Sequence, residues 1–162
     1  MSTKPKVPAL GAEGWFTLGD EPTLVGSRCS SCGTYSFPRR QGWCPNPQCR
    51  GTEMVDTPLS RRGRVWSYTD AQYQPPPPFV SDVDTFEPFA IAAVELEAEG
   101  LVVLGQLAPG IGVDEVAVGD EVELIVGTLF SDDEHDYQVW RWQPVGAAAG
   151  RDAAQAPAGV AR

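Results

Sequence analysis

From about residue 64 onward, apolar and polar positions alternate in short runs with a period of two. Residues 64–73, RVWSYTDAQY, carry two different sets of side chains on alternate positions, the pattern of a strand with two unlike faces. Residues 89–97, 101–107, 121–130 and 137–142 repeat that signature, so five strands are predicted. Gly100 joins the second and third as a tight hairpin, and residues 109–120 form a longer link ending in a turn at Val118-Gly119-Asp120. Five short strands within roughly 80 residues, with no helical period between them, predict a mainly β chain containing a five-stranded antiparallel barrel of the OB type. A small sandwich is the alternative.

The run Pro75-Pro76-Pro77-Pro78-Phe79 cannot lie inside a sheet, because its four prolines lack the donor a ladder requires. It is expected to be a stiff polyproline loop between the first two strands of the barrel. Two roles fit it: a rigid spacer, or a pre-ordered apolar wall that loses little entropy when a partner or an acyl chain docks. Nearer the N-terminus, residues 14–18 and 23–25 read as a short lead-in, with Trp15 and Phe16 as anchors onto the body or onto a partner. Residues 1–12 and 146–162 have few large apolar groups, cannot offset their ordering entropy, and are expected to be disordered.

Fifteen prolines and 17 glycines suit many short elements joined by turns, and 42% apolar content is enough for one compact core with a small appendage. No apolar run approaches the ~18 residues of a membrane helix, and the first ten residues lack the apolar centre of a signal peptide. The expected compartment is the cytoplasm, with no membrane partner. The net charge of −10 hides a separation. Between residues 28 and 64 there are seven arginines against Glu53 and Asp56, whereas residues 65–140 hold 16 acidic groups and no lysine or arginine. The molecule is expected to be strongly dipolar.

All four cysteines fall in one pattern: Cys29-Ser-Ser-Cys32-Gly33, then Cys44-Pro-Asn-Pro-Gln-Cys49. Each short pair can form a knuckle that turns two sulfurs to one point, and the intervening residues 35–42 have room for a hairpin that brings the pairs together. Zn²⁺ is the expected occupant, in a site closed by four protein ligands and therefore structural. A single iron is the chemical alternative; two disulfides fit poorly with a reducing compartment. The chain accordingly divides into residues 13–58, a lead-in with a rubredoxin-like zinc ribbon, and residues 59–145, the barrel.

Catalytic chemistry is hard to place. The single histidine, His135, sits in the acidic stretch 131–136 and reads as a solvated hairpin end, as do Asp132 and Asp133. Asp82 and Asp84 read the same way, as a solvated loop. There is no nucleophile elbow, no phosphate-binding glycine loop and no spare cysteine. No catalytic residue is assigned. Nucleic acid is the competing ligand class for a ribbon beside an OB barrel, and stacking aromatics are present in Trp66, Tyr68, Tyr73, Trp140 and Trp142. The acidic barrel argues against it, since phosphate neutralisation supplies most non-specific affinity.

Taken in order, these residues resemble a known family. Cys29-Ser-Ser-Cys32-Gly33 with Phe37-Pro38-Arg39, then Cys44-Pro45 and Cys49, and then the run Leu59-Ser60-Arg61-Arg62-Gly63-Arg64-Val65-Trp66-Ser67-Tyr68 make up the first part of the likeness. The proline run, Ala92-Ala93-Val94-Glu95-Leu96, Leu104-Gly105-Gln106-Leu107 and Val118-Gly119 complete it. The chain is similar over about residues 24–145 to the zinc-ribbon OB-fold proteins grouped as domain of unknown function 35. That resemblance implies a companion of a thiolase-fold enzyme, either a thiolase or a lipid-transfer-protein-like aldolase of steroid side-chain degradation. The partner would carry the catalytic residues, and the OB part would help form an acyl-CoA channel.

Residue chemistry can be laid beside that implication. Coenzyme A needs cations at its phosphates and an uncharged channel along its pantetheine arm. Arg39, Arg40, Arg61, Arg62 and Arg64 are candidates for the first, Tyr73, Phe79 and the proline run for the second. The same arginines would equally serve to offset the acidic barrel. Trp15, Phe16 and Pro75, Pro76, Pro77 and Pro78 are the candidate partner-binding residues. A general interaction scaffold is the second reading of the chain.

Overall fold

A computed structural model describes residues 4–9, 11–77, 79 and 85–146. Residues 147–162, expected to be disordered, lie outside the described residues, as do residues 1–3 and Pro78 of the proposed partner surface.

Nine strands follow in chain order: β1 (Lys6–Pro8), β2 (Val25–Cys29), β3 (Tyr35–Ser36), β4 (Met54–Pro58), β5 (Arg62–Ala71), β6 (Phe89–Leu96), β7 (Leu101–Leu107), β8 (Glu121–Ser131) and β9 (Asp136–Pro144). The five predicted strands are β5 to β9, each within two residues of its expected ends. A single 3-10 turn, Val113–Glu115, is the only helical segment among the described residues.

The barrel runs β5–β6–β7–β9–β8 and closes where β8 pairs with β5 at Arg62–Glu123, Gly63–Val122 and Arg64–Glu121. Four of its five pairings are antiparallel; the fifth, β7 with β9, is parallel through Gln106–Arg141 and Leu107–Trp142. Period-two alternation sends Val65, Ala92, Val94, Leu96, Val103, Val122, Leu124 and Trp142 inward, all nearly or fully buried. Trp142 fills the centre because Gly105 lacks a side chain: a Cβ there would lie 2.8 Å from Trp142 Cδ1. Gly119, at φ +94°, makes the expected turn and donates its N–H to Val65 O.

The ribbon is a three-stranded sheet in the order β3–β2–β4. It shares one core with the barrel. Phe16 bridges to Leu24, and Trp15, Phe16 and Phe37 meet Trp140 of β9 with ring centroids 5.8–6.1 Å apart. Phe16 is only 4% exposed, which corrects the assignment of its ring to a partner surface: aromatic packing inside the chain has consumed it.

Disorder over residues 1–12 also needs correction where the structure describes them. Lys6–Pro8 pairs in parallel with Asp136–Gln138 of β9, Ala9 donates its N–H to Gln138 O, and Ala9 and Ala12 are buried. The cause is a vacant strand edge. β8 covers one edge of β9 throughout, whereas β7 takes only Arg141 and Trp142 on the other. The remaining donors and acceptors of that edge recruit the N-terminal segment, which its own composition did not signal.

Candidate functional site

Cys29 ends β2, and the following turn closes with Gly33 N–H donating to Cys29 O at φ +77°, which brings Cys32 back towards Cys29. In the second knuckle Asn46 supplies the geometry of the wide spacing. Its Oδ1 accepts from Gln48 N–H and its carbonyl from Cys49 N–H. The knuckles then face each other across the site: Cys29 Sγ lies 3.9 Å from Cys49 Sγ and Cys32 Sγ 3.5 Å from Cys44 Sγ, with all four sulfurs within 4.8 Å of one another.

A tetrahedron with metal–sulfur bonds of about 2.3 Å has edges of about 3.8 Å, close to the 3.9 and 3.5 Å of the two facing pairs, so the four sulfurs are gathered at the scale of a zinc-sized ion. All four are free thiols. The Thr34 hydroxyl, 3.1 Å from Cys32 Sγ, and the Thr34 backbone N–H lower that thiol to about 6, while burial pushes Cys44 up to about 12. Four thiolates gathered this closely repel one another, and a bound cation is what offsets that repulsion. Backbone N–H groups of Asn46 and Gly51 point at the sulfurs of Cys44 and Cys49, the usual second support of such ligands. Gly51 is a functional position that sequence reading missed. A Cβ there would lie 2.9 Å from Cys29 Sγ, and its one sequence signal is a glycine two residues after the last ligand.

Three of the five candidate arginines are already engaged by carboxylates. Arg39 pairs with Asp56 at 2.6 Å, Arg61 with Glu21 at 3.6 Å and Glu123 at 3.5 Å, and Arg62 with Glu123 at 3.5 Å. Arg64 donates to Gly119 O at 3.1 Å, and neither it nor the exposed Arg40 makes an ion pair among the described residues. Tyr73, 76% exposed, and Phe79 follow the far end of β5. That strand has ten residues, so about 30 Å of chain separates them from Arg61 to Arg64. Phe79 stacks on Phe89 at 6.0 Å and meets Phe86 at 6.3 Å, while Pro75, Pro76 and Pro77 stand partly or fully exposed beside it.

At that same end lies a cleft of about 560 Å³ whose walls include Asp70, Gln72, Phe89, Ile111, Asp114 and Arg141. Arg141 is half-buried, with Nε unpartnered among the described residues, and burial lowers its pKa. The acid-only stretch ends one residue before it, which hid it from a charge count. At the opposite hairpin, Asp132 organises a turn: it accepts from His135 N–H, Glu134 N–H and the Tyr137 hydroxyl at 2.7–2.9 Å, and these donors hold its carboxyl below the usual range.

A four-thiolate ribbon built onto a closed OB barrel through one core defines the class of protein. The chain belongs to the zinc-ribbon OB-fold family that carries the DUF35 label. Residues 16–55 match the domain described as "ChsH2, rubredoxin-like zinc ribbon domain" and residues 56–127 the "ChsH2, C-terminal OB-fold domain". It is 36% identical over 113 residues, 68% of each chain, to the benzoylsuccinyl-CoA thiolase subunit BbsA of Thauera aromatica. It is 32% identical over 118 residues, 73% of this chain and 77% of the relative, to a DUF35 domain-containing scaffold protein of Methanocaldococcus jannaschii. Among solved structures it matches the Ltp2-ChsH2(DUF35) aldolase with a TM-score of 0.57 and 29% identity, covering 75% of this chain and 84% of that one.

Proposed function

We propose that this chain is the non-catalytic accessory subunit of a thiolase-fold acyl-CoA enzyme. In this reading the complex makes or breaks a carbon–carbon bond in lipid or steroid side-chain metabolism in the cytoplasm. The observation that carries it is likeness across both modules at once, to a protein named as a thiolase subunit and to the DUF35 chain of an aldolase. The ribbon holds structural Zn²⁺, and the barrel stabilises the partner and lines its acyl-CoA channel. Tyr73, Phe79 and the exposed prolines supply an apolar wall. Arg40 and Arg64, free of ion pairs among the described residues, are the cations best placed to receive CoA phosphates; Arg39, Arg61 and Arg62 would first have to give up their carboxylates.

The experiment is recovery of the tagged full chain with its bound partner, followed by acyl-CoA assays of each part. The expected result is a co-purifying thiolase-fold protein, no turnover by this chain alone, and turnover by the pair. Turnover by the chain alone that survives His135→Ala would overturn the reading. The archaeal relatives named as scaffold proteins favour a second reading, in which the chain organises an assembly without contacting acyl-CoA. A complex whose acyl-CoA affinity is indifferent to every residue above would select it.

A further inference from the structure

We infer that the outer face of strands β5, β6 and β7 is the surface that docks the thiolase-fold partner; this rests on the accessory-subunit reading above. Register places its members together. Ser67, Ala93 and Leu104 are directly opposed across the three strands, and Arg64, Glu95 and Val102 form the next outward row. Trp66 is the extra residue where the register shifts between Val65 and Ser67. Because Val65 points into the core, the bulge aims the Trp66 ring outward onto the same face. Trp66 is 60% exposed, Leu104 63% and Val102 49%, with only the small side chain of Ala93 between the first two.

A contiguous tryptophan, leucine and valine facing solvent costs solubility and does nothing for this chain's own core. Its shape is that of an interface centre, an aromatic anchor with aliphatic neighbours. Charge then selects the occupant. The exposed Glu95, Glu97 and Glu121 of the rim outnumber its one cation, Arg64, whose guanidinium is turned to Gly119 O, so the face carries a net acidic excess. A second copy would bring acid against acid. A partner with an apolar centre ringed by lysine and arginine is complementary. This face replaces Phe16, which the fold buries, as the source of docking energy.

The test uses the full chain with its metal and the thiolase-fold subunit recovered with it. Trp66→Ser and Leu104→Ser are each expected to weaken the dissociation constant at least about tenfold, and together beyond about a hundredfold, with metal content and circular dichroism unchanged. Glu95→Lys, which removes no apolar atom, should weaken binding and reduce its sensitivity to salt. Val55→Ser, on an exposed valine of ribbon strand β4, should leave the constant unchanged. Wild-type affinity in the double variant and in Glu95→Lys would overturn the inference while leaving the accessory role standing. A wild-type chain that is a dimer by light scattering, and a monomer after Trp66→Ser, would overturn it in favour of self-association. Failure of the wild-type chain to bind any thiolase-fold subunit would overturn both.

Discussion

Each cysteine ligand is held by something other than its own side chain. Cys29 leans on Gly51, Cys32 on Thr34, and Cys44 and Cys49 on backbone donors. One zinc per chain is expected by elemental analysis of protein purified under reducing conditions. Cys44→Ser should release it and unfold the ribbon, since structural zinc can contribute on the order of 10 kcal/mol to so small a unit. Gly51→Ala keeps all four ligands yet sets a methyl group 2.9 Å from Cys29 Sγ, so metal affinity should fall about tenfold or more in a chelator competition. Asp132 gives a second residue-level prediction. Its donors favour the carboxylate, so its folded pKa lies below the unfolded one. The stabilisation is therefore complete above about pH 4 and is lost as pH falls through the depressed value. Carbon-13 titration of the carboxyl, with amide exchange of the 131–136 hairpin, should show that order; an ordinary or raised pKa would remove the turn assignment.

Among the elements, β7 and β9 decide the shape of the barrel interior. Gly105 on β7 stands where any side chain would strike Trp142 and Trp140, so Gly105→Val is an overpacking change rather than a gain of strand propensity. It should cost about 1–3 kcal/mol in urea unfolding, while Gly112→Ala, at φ −95° with open space around it, should leave the barrel core intact. β1 shows the complementary case. Its three residues carry little intrinsic order, and the unfilled edge of β9 supplies the pairing that fixes them. Composition predicted a loose end because composition cannot register an edge formed by residues 130 positions away.

At the scale of the whole molecule, the charge separation is partly neutralised internally. Arg61 and Arg62 meet Glu123 across the strands that close the barrel, and Arg39 meets Asp56 within the ribbon. Arg61→Ala with Arg62→Ala is expected to lower stability, each exposed pair being worth about 0.2–1 kcal/mol, with the effect easing in salt. Arg40→Ala with Arg64→Ala should spare stability and raise the apparent Michaelis constant of the assembled complex for acyl-CoA several-fold. An unchanged constant in an intact complex would take these arginines out of the substrate path.

The sequence by itself determined the ligand set, the five strands of the barrel and the family, because knuckle spacing and period-two alternation are local properties written in consecutive residues. Alternation says that a residue lies on one face; it does not say what covers that face. Phe16 and Trp66 look alike in the sequence as aromatic residues in or beside apolar stretches, yet one is buried against Trp140 and the other stands in solvent. Tertiary structure alone decided that difference. It also separated the arginines from Tyr73 by the length of β5, filled the edge of β9 with β1, and pressed Gly51 against Cys29. Each of these depends on which distant segments meet, in the ribbon, at the edge of β9 or around the barrel, and no neighbour in the chain records such a meeting.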